Sequence, residues 1–515
     1  MADLGLHERG MMSRTLPERA NLEFLSKQAK VLLQNVKAGV ADARQRLRAW
    51  GPPGALESPK LADCQHALAR EYGFASWARL RTHVQTVSAT DSMEALAAAL
   101  KTRNPSTVAQ VLAAFPSVRA RLDEPVRDGA FGATPLIVAV QQANRELVDV
   151  LLENGASINQ RSHWWAGGFH VLEDDHGLAD FLLARGAVLD SKPAAQLGRL
   201  ADLAALVAVN PQSVHLRAGD GQTPLHVAPT VAIAEFLLDH GADIDARDVD
   251  HESTPAQYLV RSHPDVARYL VARGAQTDIL LAAALGDVER VRGFLDADPE
   301  SIRWTVSERY FPKRNPHAGG HIYTWTLGQG KTAHVVAREL GHEEVLRLLM
   351  ERSPDPLKLA VACELGDEPL LATLLETRPG LARALKDDDR RKLPMAAQNN
   401  DVEAVRRMLA SGWPVDTVGQ HGATALHWAG FHGNSAMAQV ILGFDPPLEE
   451  RERDFGQTPL DWTIYGSING WCAERGDHAG VAELLLAAGA KVPPLTPKVK
   501  ASEAVLAVLR RHTSG

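Results

Sequence analysis

The strongest constraint on what this chain can fold into is a recurring phrase. Thr-Pro-Leu-His-Val-Ala stands intact at Thr223–Ala228, and worn copies stand at Ala133–Ala139, Ser253–Ala256, Ala423–Ala429 and Gln457–Trp462. A leucine pair followed by Gly-Ala recurs in step with it, at Leu151–Ala156, Leu182–Ala187, Leu237–Ala242 and Leu485–Ala490. Thr223 to Thr254 is 31 residues and Thr424 to Thr458 is 34. Thr134 to Thr223 is 89 and Thr332 to Thr424 is 92, three units each. Such a period describes units that cannot bury their apolar faces alone and must stack on their neighbours.

The chemistry of one unit is legible. Thr offers a capping oxygen, and Pro fits the first helical turn, where its missing N–H costs nothing. A second helix follows with Leu147, Val148, Leu151 and Leu152 at helical spacing. Gly155 suits the left-handed position that ends it, and segments such as Ala218–Gln222 supply hairpin turns. Two phrases in fixed order at this period resemble the ankyrin repeat, over roughly Met93–Pro493. The resemblance implies an all-α fold: an α-solenoid of helix pairs with short β-hairpin turns, in eleven or twelve units.

The ends differ. Residues 1–13 read as a flexible tail. Residues 14–87 do not repeat and read as a module of four short helices: Asn21 precedes one apolar stripe, Ser58-Pro59 starts a helix, and Ser76 caps a last helix with Trp77, Leu80 and Val84. Residues 88–493 form the array, and 494–515 end in a capping helix with Arg510, Arg511 and His512 at its negative end. The leader is similar to a module found ahead of ankyrin arrays in bacterial proteins.

The chain carries a net charge of −8, which argues against a generally basic nucleic-acid binder. Residues 14–86 nevertheless hold 12 Lys/Arg against 6 Asp/Glu. A nucleic-acid-associated regulator working through this leader is therefore the alternative reading. Three scattered cysteines (Cys64, Cys363, Cys472) point to a reducing cytoplasm. Met1 to Thr15 lacks the apolar stretch of a secretory signal.

Departures from the period say most about function. From Pro299 to Thr332 is 33 residues, where a hairpin connection needs about ten. Ile302, Trp304 and Val306 alternate on one flank; Tyr323, Trp325 and Leu327 alternate on the other. The segment 305–327 is expected to be an elongated strand finger, with Tyr310, Phe311, Pro312, Lys313, Arg314, His317 and Gly319-Gly320 toward an aromatic and basic tip and His321-Ile322-Tyr323 in an arm. A second insertion, 466–475, falls between two helices and carries Asn469, Trp471 and Cys472. Thr223 to Gly241 is only 18 residues, three short, which is expected to remove the turn between helices.

Catalytic and ligand motifs fare poorly. Gly328-Gln-Gly-Lys331-Thr332 lacks the glycine a phosphate loop needs five places before Gly330, where Trp325 stands. His226 and His427 sit at the repeat's own His position, a structural place. Asp245, Asp248 and Asp250 lack the rest of a calcium loop and read as solvated turn acids. No nucleophile motif appears; the arrangement to check is whether Asp461, Cys472 and His478 converge. No cofactor, metal or catalytic residue is expected.

The expectation is a monomeric, non-enzymatic scaffold that binds another protein through its concave face, the finger and the 466–475 loop. The candidate contact residues are Trp304, Tyr310, Phe311, Arg314, His321, Tyr323, Trp325, Phe431, His432, Tyr465, Asn469 and Trp471. The insertion aromatics either anchor a partner or pack the insertions down.

Overall fold

The computed structural model describes residues 22–81, 92–127, 129–173, 176–495 and 499–513. The expected tail and Val84 lie outside them. Among the described residues the chain is all-α, with isolated bridges such as Val418–Thr424 where hairpin turns were expected to pair. No helix among them is long and apolar enough to cross a membrane. The chain divides into two compact units, residues 1–193 with 217–221, and residues 194–216 with 222–515.

In the first unit the leader forms helices Leu22–Lys37, Ala41–Trp50 and Leu61–Glu71, with residues 77–81 also helical. Leu25, Ala29, Leu68 and Leu80 meet in one apolar cluster, and Leu32, Val36, Leu47 and Ala67 in another. Arg46 donates to both carboxylate oxygens of the buried Glu71, at 2.7 and 2.8 Å. Repeat helix pairs follow, among them Pro135–Gln141 with Arg145–Glu153. Thr134 Oγ1 accepts from Ile137 N and Asn144 Oδ1 from Leu147 N, so each helix of that pair begins on a side-chain cap.

The second unit stacks further pairs of the same kind, from Pro255–Ser262 with Pro264–Ala272 to Pro459–Asn469 with His478–Ala487, and ends in Glu503–Thr513. Its repeat histidines tie one unit to the next. His226 Nδ1 meets Thr223 Oγ1 at 2.9 Å while Nε2 reaches the Ser253 carbonyl at 3.1 Å. His427 repeats the arrangement with Thr424 (2.8 Å) and the Gln457 carbonyl (3.1 Å). The far carbonyl belongs to the turn of the following repeat, so the imidazole fixes the spacing between neighbours. Burial pushes the His427 pKa down.

Three local expectations are corrected. The short unit at Thr223–Gly241 keeps its connection and shortens its first helix instead, to a single 3₁₀ turn, Pro224–Val227. The insertion at 466–475 is not all loop: the helix Pro459–Asn469 runs on through its first residues before the chain turns. Asp248 and Asp250 are buried, not solvated. Asp248 accepts from His251 N, Ser253 N and the Tyr258 hydroxyl, each at 2.7 to 2.8 Å, and so builds the turn it sits in.

Candidate interaction groove

The segment 305–327 departs from the extended finger expected of it. Its ends meet in one bridge, Thr305–Thr332, with Val306 N donating to the Lys331 carbonyl at 3.0 Å. Beyond that the arms do not pair. Pro312 and Pro316 remove ladder donors, and the remaining backbone groups find acceptors elsewhere. Arg314 N and Asn315 N donate to the Glu252 carboxylate at 2.7 and 2.9 Å, Gly319 N to the Asp250 carbonyl at 2.9 Å, and Ile322 N to Ser253 Oγ at 3.1 Å. The segment is folded back against the turn around Asp250, and 324–328 form a single π-helical turn.

Its aromatics form a small core. Trp304 stacks on Tyr310 with centroids 5.5 Å apart, and Phe311 lies 4.3 Å from His321 and 5.3 Å from Tyr323. Tyr323, expected at the interface, is fully buried; its hydroxyl donates to Asp278 Oδ2 at 2.9 Å. Asp278 also accepts from Gln257 Nε2 and two backbone N–H groups, while burial pushes its carboxyl above the usual range. Burial, helped by Arg247 and His251, holds His321 at a pKa of about 3, so its ring is neutral at physiological pH.

On the other side ion pairs hold the insertion and the turn that leads into it. Arg303 pairs with Asp389, both buried, and Arg309 pairs with Asp388. Asp388 and Asp389 belong to the short helix Asp387–Arg390, directly before the repeat helix Lys392–Gln398. Asn399 Nδ2 adds a hydrogen bond to the Gln329 carbonyl at 3.0 Å.

The second insertion presents Trp471. Its ring stacks over the buried Trp428, 6.1 Å between centroids, and meets Phe431 edge-on at 5.3 Å. Gly466 allows this packing, since a Cβ there would stand 2.5 Å from the Phe431 carbonyl oxygen. Trp471 remains 65% exposed, and Trp325 is 70% exposed.

These pieces enclose one groove of about 810 Å³. Tyr310, Phe311, His321 and Trp325 line it from the first insertion and Trp471 from the second. Met395 and Gln398 line it from the repeat helix between, and Gln420 from a turn. Five of the twelve residues proposed from sequence thus share one cavity. Trp304, Arg314, Tyr323, Phe431, His432, Tyr465 and Asn469 are not in its lining. His432, expected as a contact residue, is buried and meets the Gln398 carbonyl through Nε2 at 2.8 Å. Arg314 lines a smaller neighbouring cavity of about 240 Å³. Tyr465 and Asn469 stand exposed on the helix before Trp471.

Sequence reasoning missed Asp388, Arg391, Lys392 and Met395. The mixed-charge run Asp387–Lys392 was the available signal, because a compact block of three acids and three bases sits badly in a plain solvated turn.

The chemical alternatives are placed as well. Lys331 pairs with Glu339 at 2.6 and 2.7 Å, and Thr332 caps a repeat helix through Val335 N, so the Gly328–Thr332 run serves the repeat. Asp461, Cys472 and His478 do not converge. Asp461 accepts from Thr458 within a capping box, and both nitrogens of His478 face backbone carbonyls. The Cys472 thiol instead meets the ring of His432, with Sγ 4.0 Å from Nδ1.

Comparison with known proteins agrees with the geometry. The family described as ankyrin repeats (3 copies) matches residues 193–281 and 357–450, and the single ankyrin repeat matches 131–163. FPV031 and FPV230 of Fowlpox virus (strain NVSL), both named as ankyrin repeat proteins, are 31% and 28% identical to it over 138 and 142 residues. Each match covers 25% of this chain, and 32% and 74% of those proteins respectively. Palmitoyltransferase Hip14 of Drosophila melanogaster is 27% identical over 119 residues, 23% of this chain and 17% of that protein. The chain therefore spans about a third of FPV031 and about a sixth of Hip14. The human ASB11 ankyrin repeat domain aligns over 60% of this chain and 100% of its own, at 19% identity and TM-score 0.25. With Thr-capped helices in each stretch and the His link in the last two, residues 131–163, 193–281 and 357–450 of this chain are ankyrin repeats.

Proposed function

We propose that the protein is a binding scaffold that captures a protein partner in the groove between its two insertions, without transforming it. The observation that carries this reading is the convergence of Trp325 and Trp471. Two exposed tryptophans from separate breaks in the period flank one cavity floored by a repeat helix. Exposed aromatics around a concave pocket are the features that dominate binding energy at protein interfaces. The buried thiols Cys64 and Cys363 accord with action as a monomer in a reducing cytoplasm.

The test is affinity capture with the full chain and with the double variant Trp325→Ala/Trp471→Ala. Point variants are preferable to deleting 305–327, because deletion would take Tyr323 from Asp278 and Arg309 from Asp388. Capture of a defined partner by the wild type and its loss in the folded double variant are expected. An unchanged set of captured proteins would remove the groove from the interface.

A further inference from the structure

We propose that the groove selects an extended peptide segment in which an apolar anchor is flanked by acidic residues. This deepens the reading above and rests on it. The chain as a whole is acidic, at net −8, yet the groove is lined by five basic residues and only two acidic ones. Two of the basic residues, Arg303 and Lys392, are buried and committed to Asp389 and Glu364. The others are more accessible. Arg309 and Arg391 are each more than half exposed and approach the same carboxylate, Asp388, one from the insertion and one from the repeat. A guanidinium has five N–H donors in a rigid fork, so one shared carboxylate leaves both arginines with donors to spare. A carboxylate of a bound peptide can enter that pair in the geometry Asp388 already uses. Lys313, paired at 3.2 Å with the exposed Glu308, adds charge on the same wall.

The space beside these cations is apolar. Phe311, Tyr310 and the thioether of Met395 line it, and methionine adapts its shape to an entering side chain. A basic peptide would set its own cations against Arg309 and Arg391, and this repulsion supplies discrimination. A single-stranded nucleic acid is also anionic and stacks on tryptophan. It is disfavoured by Asp388 and Glu308 at the wall and by the negative charge of the chain as a whole.

Fluorescence anisotropy with the full chain tests this. The probes are labelled octapeptides with one Leu-Trp anchor flanked by glutamates or by lysines, and a labelled oligouridine. The glutamate peptide is expected to bind at least about tenfold more tightly than the lysine peptide, with affinity falling as salt rises. Arg309→Ala/Arg391→Ala is expected to abolish the preference, and retained circular dichroism shows that the variant is folded. Equal affinities, a preference that survives loss of both arginines, oligouridine as the better ligand, or no peptide binding at all would each overturn the proposal. If instead both peptides bind equally and Trp325→Ala/Trp471→Ala removes both, the groove reading stands and only the acidic selection fails.

Discussion

Trp471 lies over Trp428 with the ring planes 28° apart, so one of its faces is committed to the repeat while the other is open. An aromatic ring held by packing from behind loses little freedom when a partner covers its front. Trp471→Ala is therefore expected to weaken partner binding by about 2 kcal/mol or more while changing stability much less. Titration calorimetry against the captured partner, paired with thermal melting, separates the two. A large drop in melting temperature with unchanged affinity would make Trp471 a packing residue.

Arg303 and Asp389 are a second kind of contact, a buried ion pair between the turn that leads into the insertion and a helix more than eighty residues on. Removing one partner strands the other charge, and such losses run to about 3–5 kcal/mol. Arg303→Ala is expected to loosen 305–327 before the rest of the array. Hydrogen exchange should show faster exchange in that segment and near Asp387–Arg390, with little change in the leader.

His334 gives a pH prediction. It is fully buried, its Nε2 donates to Ser353 Oγ at 2.8 Å, and Ser353 Oγ donates onward to the Leu349 carbonyl. Burial, with Lys392 nearby, holds its pKa at about 3 against an ordinary 6.5. The unfolded chain takes up this proton near pH 6.5, but the folded chain does so only near 3. Its contribution is therefore complete above pH 6.5 and is lost as pH falls through that window, at up to ~1.4 kcal/mol per unit. Urea melts at several pH values should show a shallower acid slope for His334→Gln than for the wild type.

Gly466 gives a packing prediction. A methyl group at this position meets Phe431 backbone at 2.5 to 3.0 Å, which no side-chain rotation relieves. Gly466→Ala is expected to destabilise the last repeats by roughly 1–3 kcal/mol. Limited proteolysis should then cut between 459 and 513 sooner than in the wild type. Equal protection would mean the two helices have room to separate.

The repeats were legible because their signals are local. A Thr cap, a Pro in the first turn and a His three residues after Thr act within one helix, and the period carries the stacking. The groove was legible only in its parts. Trp325 and Trp471 announce themselves as aromatics in segments that break the period, but nothing in 145 intervening residues states that they face one cavity. The alternation around Trp304 and Tyr323 reads as strand, yet the N–H groups of Arg314, Asn315, Gly319 and Ile322 are satisfied by Glu252, Asp250 and Ser253, more than sixty residues away. That choice rests on the turn held together by Asp248, a buried carboxylate that sequence alone presented as a solvated one.

The contacts of 305–327 also have a mechanical meaning. One side is bonded to the turn at 250–253 and the other, through Arg309, to Asp388, while Arg303 just before the segment pairs with Asp389. Repeat arrays ordinarily flex by small rotations between neighbours that touch only each other. Here a single segment is splinted across several of those joints, so bending between them must stretch it or break an ion pair. The stretch from residue 250 to 389 should therefore be the stiffest part of the array, and the width of the groove should follow its curvature.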